Sequence, residues 1–539
     1  MLKCFLVVLL LLLAIPQTTL AIDRTYTEAT TVDKIFLQKN KALAKPPSVL
    51  EASCQNDVQE ELVNIVKNSG QIPAKEIQDQ LAQALVLHVK TISTLRSLPI
   101  PVSRRAVQVS GYYAAGDGWG GPTRYWIDSG VPGTYIDNGG SIIVPSSGDG
   151  SGAWIWSDPP KPNVKLFGAR GDGSSDDIDK ITATINSLPK WPNQPAGGEI
   201  TFPDGIYMVS SPVLAGLGVR LVGDTGNYTT IIKALPGFSG EAVVLFRNDL
   251  ASDWSNSGSG IENIRIIGNN QHCAGLVAYS PRDGSRFEDL YISGIGDGYN
   301  AMKITGHPNS STGISQSLIL NNVILSHANS TATADTLLID SLQESSLTNV
   351  KAFGGYPNVN ANAVPIRIKN SRSVTLIGPT AAQTTTNGIV VESDTRASVG
   401  ITIVGPTFED VLGTTLVSNG TSVYGNVSLS SINPRYEGTI GTGATLTYTS
   451  SSFVETLEKP CAISTGSQYN RLVLRNTSDF TDSSGLANQP YFFGIAPKTY
   501  NEQVTAADRT INASNTTLEE LANVLGSLIN DLRDRGIVK

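Results

Sequence analysis

The sequence is short of the residues that usually advertise chemistry. Cysteine occurs four times in 539 residues. Cys4 lies in an N-terminal apolar run, which leaves Cys54, Cys273 and Cys461. Three is an odd number, so at most one internal disulfide forms and stability does not rest on disulfides. Charged residues make up only 16%, the net charge is −8, and there is no basic tract; this argues against nucleic acid as a partner. Beyond the N-terminus no stretch approaches the roughly 20 apolar residues of a membrane span. There is no Walker loop, no Rossmann fingerprint and no zinc-ligand spacing. The four histidines, His88, His272, His307 and His327, are scattered and suggest no triad.

What is present starts with a leader. Residues 1–21 carry Lys3, an apolar run from Phe5 to Ile15, and Thr19-Leu20-Ala21 as a small-residue cleavage site. This pattern predicts a secretory signal peptide, a secreted extracellular chain, and no membrane span once the leader is gone. Eight Asn-x-Ser/Thr sequons follow, among them Asn227, Asn309, Asn329, Asn419 and Asn476; they are glycan acceptors only in a eukaryotic host.

Residues 22–103 read as a linker and a helical segment. Val58, Leu62, Ile65 and Val66 form one apolar stripe, and Ile77, Leu81, Leu85 and His88 form a second. His88 reads as a structural histidine on that face. Residues 104–160 change to glycine and aromatics, with Asp137-Asn138-Gly139-Gly140 as a turn between β-rich runs. Four of the six tryptophans sit here (Trp119, Trp126, Trp154 and Trp156) and are assigned to the core of a small β module rather than to sugar stacking.

At Val164–Tyr207 a β-branched run meets Gly171-Asp172-Gly173. Asp176 or Asp177 is placed to cap a helix whose apolar face is Ile178, Ile181 and Ile185. Gly197-Gly198 opens a strand that turns at Pro203-Asp204-Gly205. Asp172, Asp176 and Asp177 are assigned to this turn and cap rather than to catalysis. The stretch resembles the opening of the pectate-lyase-like right-handed parallel β-helices, and the preceding module resembles the small β module of bacteriophage tailspikes and polysaccharide depolymerases. The resemblance implies an all-β right-handed parallel β-helix over residues 163–438, acting on or binding a polysaccharide. It does not fix the chemistry.

From Gly218 to Gly438 a solenoid repeat supports this. Short β runs are anchored at Ile264, Leu290, Val323, Val350, Val374, Ile401 and Val427, at spacings of 26, 33, 27, 24, 27 and 26 residues. The long step is assigned to an inserted loop near Gly306–Gly313. The leucine framework of leucine-rich repeats is missing, and Val, Ile and Thr point to β coils. Residues 439–539 read as a C-terminal β module and a terminal helix. Its heptad, Leu518, Leu521, Leu525, Leu528 and Leu532, suits either docking on its own chain or a homotrimer.

Residues at equal offsets in successive coils stack, so acids can be matched. Glu409 and Asp410 fall near one corner with Glu437, beside Arg435 and Tyr436. A competing set is Asp394 with Arg367 and Glu392. Expected catalytic residues are therefore Glu409, Asp410, Glu437 and Asp394, with Arg435, Tyr436 and Arg367 binding substrate. The first expectation is glycosidic hydrolysis by paired carboxylates without a cofactor. The alternatives are a polysaccharide lyase acting on uronic acids, for which Ca²⁺ on acid side chains would serve, and a non-catalytic glycan-binding spike. The polygalacturonase signature of Asn-x-Asp, Asp-Asp, Gly-His-Gly and Arg-x-Lys is absent, which weakens a pectinase reading.

Overall fold

The computed structural model describes residues 52–68, 86–101, 105–188, 197–248, 256–308, 314–328, 331–355, 361–420, 427–432, 434–446, 449–456, 461–463, 471–474, 480–482 and 526. The leader, the linker, the stripe at Ile77–Leu85, the inserted loop around 309–313 and the leucine heptad lie outside them, apart from Gly526. The chain divides into two units, residues 1–168 and 169–539.

In the first unit Ala52–Asn68 is a helix. The helical pattern expected around His88 does not hold there. Val86–Val89 is a strand, and only Ile92–Arg96 is helical beyond it. The strand forms because Val86–Val89 pairs in parallel with Ala106–Val109, and this long-range pairing outweighs the local helical spacing. His88 is thus an exposed strand residue opposite Gln108, not a member of an apolar helical face. The five-stranded sheet runs Val86–Val89, Ala106–Val109, Arg124–Asp128, Gly152–Trp156, Ile142–Ile143, so the module begins well before residue 104. Its core includes Val89, Ile92, Leu95, Val107, Tyr112, Trp126, Ile143 and Trp154. Trp126 and Trp154 meet edge to face at 5.5 Å, and Trp156 is buried too. Arg124 is fully buried. Its guanidinium donates to the carbonyls of Gly120 and Gly140 at 2.7 and 3.1 Å, and burial pulls its pKa down to about 10.

The stretch that begins at Val164 is as expected in outline but not in detail. Val164–Phe167 is a short 3-10 turn rather than a strand; the strand is Asp172–Asp176. The helix Ile178–Asn186 follows. Asp177 stands at its cap position without capping it. Its buried carboxylate accepts the N–H groups of Arg170 and Gly171 at 2.7 and 2.9 Å, tying the turn back on itself. Asp176 takes the Ile178 N–H at 3.2 Å, and Asp172 holds those of Ser174 and Ser175.

The rest is a right-handed parallel β-helix. Among the described residues a 19-stranded and an 11-stranded sheet are parallel throughout, with a two-stranded pair beside them. Side chains alternate between inside and outside. One interior column runs Ile200, Leu221, Ile261, Phe287, Leu320, Leu347, Leu376, Ile403, each buried to within 1%. Among the described residues between Gly218 and Gly438 no helix recurs and the repeat is carried by parallel strands, which removes the leucine-rich and α-solenoid alternatives. The ladder does not end at Gly438: Thr442–Leu446, Thr449–Thr456, Cys461–Ile463, Arg471–Leu474 and Phe480–Asp482 continue both sheets in parallel register. Residues after 438 therefore begin as further coils, not as a separate β module.

The coils turn through left-handed backbone. Asn263, Asp289, Asn322 and Asn349 have φ of 58°, 53°, 52° and 51°, and Gly378 and Gly405 extend this corner at 61° and 60°. Asn322 Nδ2 donates to Asp289 Oδ1 at 2.6 Å and Asn349 Nδ2 to Asn322 Oδ1 at 2.9 Å, so the corner is a hydrogen-bonded ladder. The anchors Ile264, Leu290, Val323 and Val350 each follow this corner. Val374 does not. It pairs with Ser345 and follows a second corner, made by Ser317, Glu344, Ser373 and Gly400. The repeat is real, but its frame shifts by one corner between Val350 and Val374.

Candidate functional site

The outer face of the larger sheet carries the acids. Thr380–Thr384, Thr407–Val411 and Arg435–Glu437 lie side by side in parallel. Glu409 is the register partner of Glu437, and Ala382 holds the same place one strand earlier. Two glutamates thus leave the sheet at one level from adjacent strands, roughly 4.8 Å apart at the backbone. Arg435 Nε meets Glu437 Oε1 at 2.7 Å in a pair open to solvent.

The neighbouring residues do other work. Tyr436 alternates to the inside, where it stacks on the buried Phe408 with centroids 5.7 Å apart. It belongs to the interior column and not to the acid face. Asp410 adopts φ 51° at a corner shared with Gln383 and Gly438. Its Oδ1 accepts the Thr439 N–H at 2.8 Å, so this carboxylate fastens the turn. Of the two acids expected opposite Glu437, geometry selects Glu409.

The competing set lies on the smaller sheet and is assembled differently. Arg367 bridges Asp335, at 2.8 Å through Nε, and Glu392, at 2.5 Å through Nη1; Lys369 reaches Glu392 at 3.6 Å. These side chains are mostly buried. Burial pushes the Asp335 carboxyl above its usual range, with the Arg367 hydrogen bond pulling the other way. Arg367 is engaged by two acids, so it is not positioned to receive substrate. Asp394 does not join it: it is exposed, and its N–H donates to Asn370 Oδ1 at 3.0 Å together with those of Thr395 and Arg396. The cluster is an ion-pair network across three coils, with Asp394 on a turn beside it.

Three outward columns of this solenoid thus differ in chemistry. Glu409 and Glu437 present two carboxylates in register; Glu262 and Glu288 form a second such pair on the same sheet, where Arg220 holds Glu262 at 2.9 Å. Two carboxyls so spaced can divide a proton-donating and a nucleophilic role at one glycosidic bond. Among the described residues no group of three or more His, Cys, Asp or Glu could hold a metal ion, and no helix is long and apolar enough to cross a membrane.

Comparison with known proteins bears on the opening of the β-helix and on the module before it. Residues 162–265 match the family described as rhamnogalacturonase A/epimerase, pectate lyase-like. Residues 88–157 match the phage tail protein small four-stranded beta-sheet domain. A probable glucan endo-1,3-beta-glucosidase of Arthroderma benhamiae is 30% identical over 214 residues, 37% of this chain and 23% of the relative. Alginate lyase 7 of Azotobacter vinelandii is 32% identical over 121 residues, 21% of this chain and 13% of the relative. The chain thus spans less than a quarter of the length of these relatives. Among solved structures, a tailspike of Acinetobacter baumannii bacteriophage Fri1, a capsular polysaccharide depolymerase, aligns over 75% of this chain and 76% of its own at 14% identity and a TM-score of 0.47.

Proposed function

We propose that this chain is an exported polysaccharide-active enzyme that hydrolyses a glycosidic bond with Glu409 and Glu437. The observation that carries the reading is their register pairing on adjacent strands of an outward face. Side chains of equal length leaving partnered positions keep close to the strand spacing, which suits the roughly 5–5.5 Å of retaining glycosidases rather than the wider inverting span. Glu437, ion-paired to Arg435, is assigned the nucleophile's part: its oxygen forms an ester to the anomeric carbon as the glycosidic C–O bond breaks. Glu409 donates a proton to the leaving oxygen, then takes one from the water that releases Glu437. The relatives named as a glucosidase and an alginate lyase support the glycan class of the substrate and not the bond.

The test begins with a glycan that the protein shortens. Glu409→Gln and Glu437→Gln should each lower kcat at least about 10²-fold, Asp410→Asn should act through stability alone, and the product should keep its anomeric configuration by NMR. An unsaturated product absorbing in the ultraviolet would replace hydrolysis by β-elimination. Near-normal turnover in both glutamine variants would place the site elsewhere.

A further inference from the structure

The sheet that carries Glu409 holds a second feature two to four strands back. The outward column Arg265, Tyr291, Ile324, Lys351, Thr380, Thr407, Arg435 is fixed by register along the larger sheet. Next to it runs Ser326, Phe353, Ala382, Glu409, Glu437. Between Tyr291 and Phe353 these two columns form a groove of about 200 Å³, lined by Tyr228, Tyr291, Ile324, Ser326, Lys351 and Phe353.

The groove is built rather than incidental. Tyr228 is 71% exposed, yet its loop is tied down: Asn227 Nδ2 donates to the Asp289 carbonyl at 2.9 Å, and Thr225 and Thr229 share a hydrogen bond of 2.7 Å. The Tyr228 and Tyr291 rings stand 6.3 Å apart at 62°, two walls at an angle. The Arg265 guanidinium lies over the Tyr291 ring at 4.4 Å, with Nη2 donating to Ser293 Oγ at 3.2 Å. Its Nε is buried without a hydrogen-bond partner among the described residues. Lys351 is exposed at the groove's edge, and among the described residues neither it nor Arg265 faces a carboxylate in an ion pair. Asp289, the acid next in sequence to the groove, spends its Oδ1 on the Asn322 ladder.

Aromatic side chains that stack on apolar ring faces, with the exposed cation of Lys351 at the edge, describe one kind of occupant. We infer that this groove is a binding subsite for an anionic glycan, a chain whose sugars carry carboxylate or sulfate groups. It shares register with the acid pair along the same sheet: Phe353, Ala382 and Glu409 are consecutive partners, with Ala382 itself buried. The inference rests on the hydrolase reading only for what happens after binding: the groove contacts none of the residues assigned to bond cleavage.

Binding is therefore measured without turnover, by calorimetry on the full chain carrying Glu409→Gln. The probes are oligogalacturonate, oligomannuronate, a sulfated chondroitin oligosaccharide and a neutral β-1,3-glucan of matched length. At least one anionic probe should bind at least about tenfold tighter than the neutral glucan, with an affinity that falls as salt is raised. Polyuronate against sulfated probe identifies the anionic group. Lys351→Glu should erase that preference and leave neutral binding unchanged, and Tyr228→Ala should weaken every probe. Both side chains are exposed, so the fold should survive, as circular dichroism would check; Lys351→Gln is the milder second variant. Equal or tighter binding of the neutral glucan, no binding of any anionic probe, or anionic binding indifferent to both Lys351 variants would overturn the inference. If anionic binding holds while Glu409→Gln and Glu437→Gln retain turnover, the hydrolase reading fails and the subsite stands.

Discussion

At the residue scale, local alternation decides what sequence spacing leaves open. Glu409 and Glu437 were legible as neighbours because a repeat stacks equal offsets, but the parts played by Asp410 and Tyr436 were not. Asp410 looks like Glu409 in one dimension, and only its positive φ turns it into a corner residue. Tyr436 sits between two outward residues and so must point inward, where Phe408 receives it. His327 is a further case. Nothing in its spacing marks it, yet it is 1% exposed, and burial pushes its imidazole from 6.5 down to about 4. Between those values the unfolded chain binds the proton and the native chain does not. Stability is therefore full above about pH 6.5 and is lost as the pH falls towards about 4, by about 3 kcal/mol from this group alone. In urea unfolding at about pH 7 and about pH 4.5, His327→Leu should lose less stability on acidification than the natural protein. An equal loss in both would assign the acid sensitivity to other groups.

At the element scale, the anchors were readable because each follows a corner that wants Asn, Asp, Ser or Gly. That is also why the frame slipped. The stretch Ser373-Val374-Thr375-Leu376-Ile377-Gly378 begins at one corner and ends at the other, and both corners use the same residue types. Strand pairing, a non-local property, settles which is which. The expected helix over His88 failed for the same kind of reason, since Ala106–Val109 supplies a partner that periodicity cannot see. The corner ladder makes a firm prediction. Asn322 combines φ 52° with hydrogen bonds to both Asp289 and Asn349. Left-handed backbone costs an ordinary residue about 1–2 kcal/mol, and a side-chain hydrogen bond contributes about 1 kcal/mol. Asn322→Ala should therefore destabilise by about 2–3 kcal/mol in denaturant unfolding, and Asn322→Gly by only the hydrogen-bond part. If glycine costs as much as alanine, backbone strain is not what selects asparagine there.

At the scale of the whole molecule, a parallel solenoid converts sequence distance into a short, even step along one face. Residues 353 and 409 are far apart in the chain, yet Phe353, Ala382 and Glu409 are consecutive register partners. Two strand steps separate Lys351 and Phe353 from the Glu409 strand, about 10 Å, and four separate Tyr291 from it, about 19 Å. A glycan held by Tyr228, Tyr291 and Lys351 must span that distance to place a bond between Glu409 and Glu437. The binding energy of the remote segment would then be used to orient the reacting bond, which raises turnover rather than only affinity. Activity should consequently rise steeply once an oligosaccharide is long enough to bridge the two places. Tyr228→Ala should lower kcat/KM at least about tenfold for long substrates and leave short ones, which reach only the acid pair, unchanged. A series of oligosaccharides of increasing length, assayed with both proteins, gives the comparison. If short and long substrates respond alike to Tyr228→Ala, groove and acid pair do not engage one chain, and the two proposals come apart.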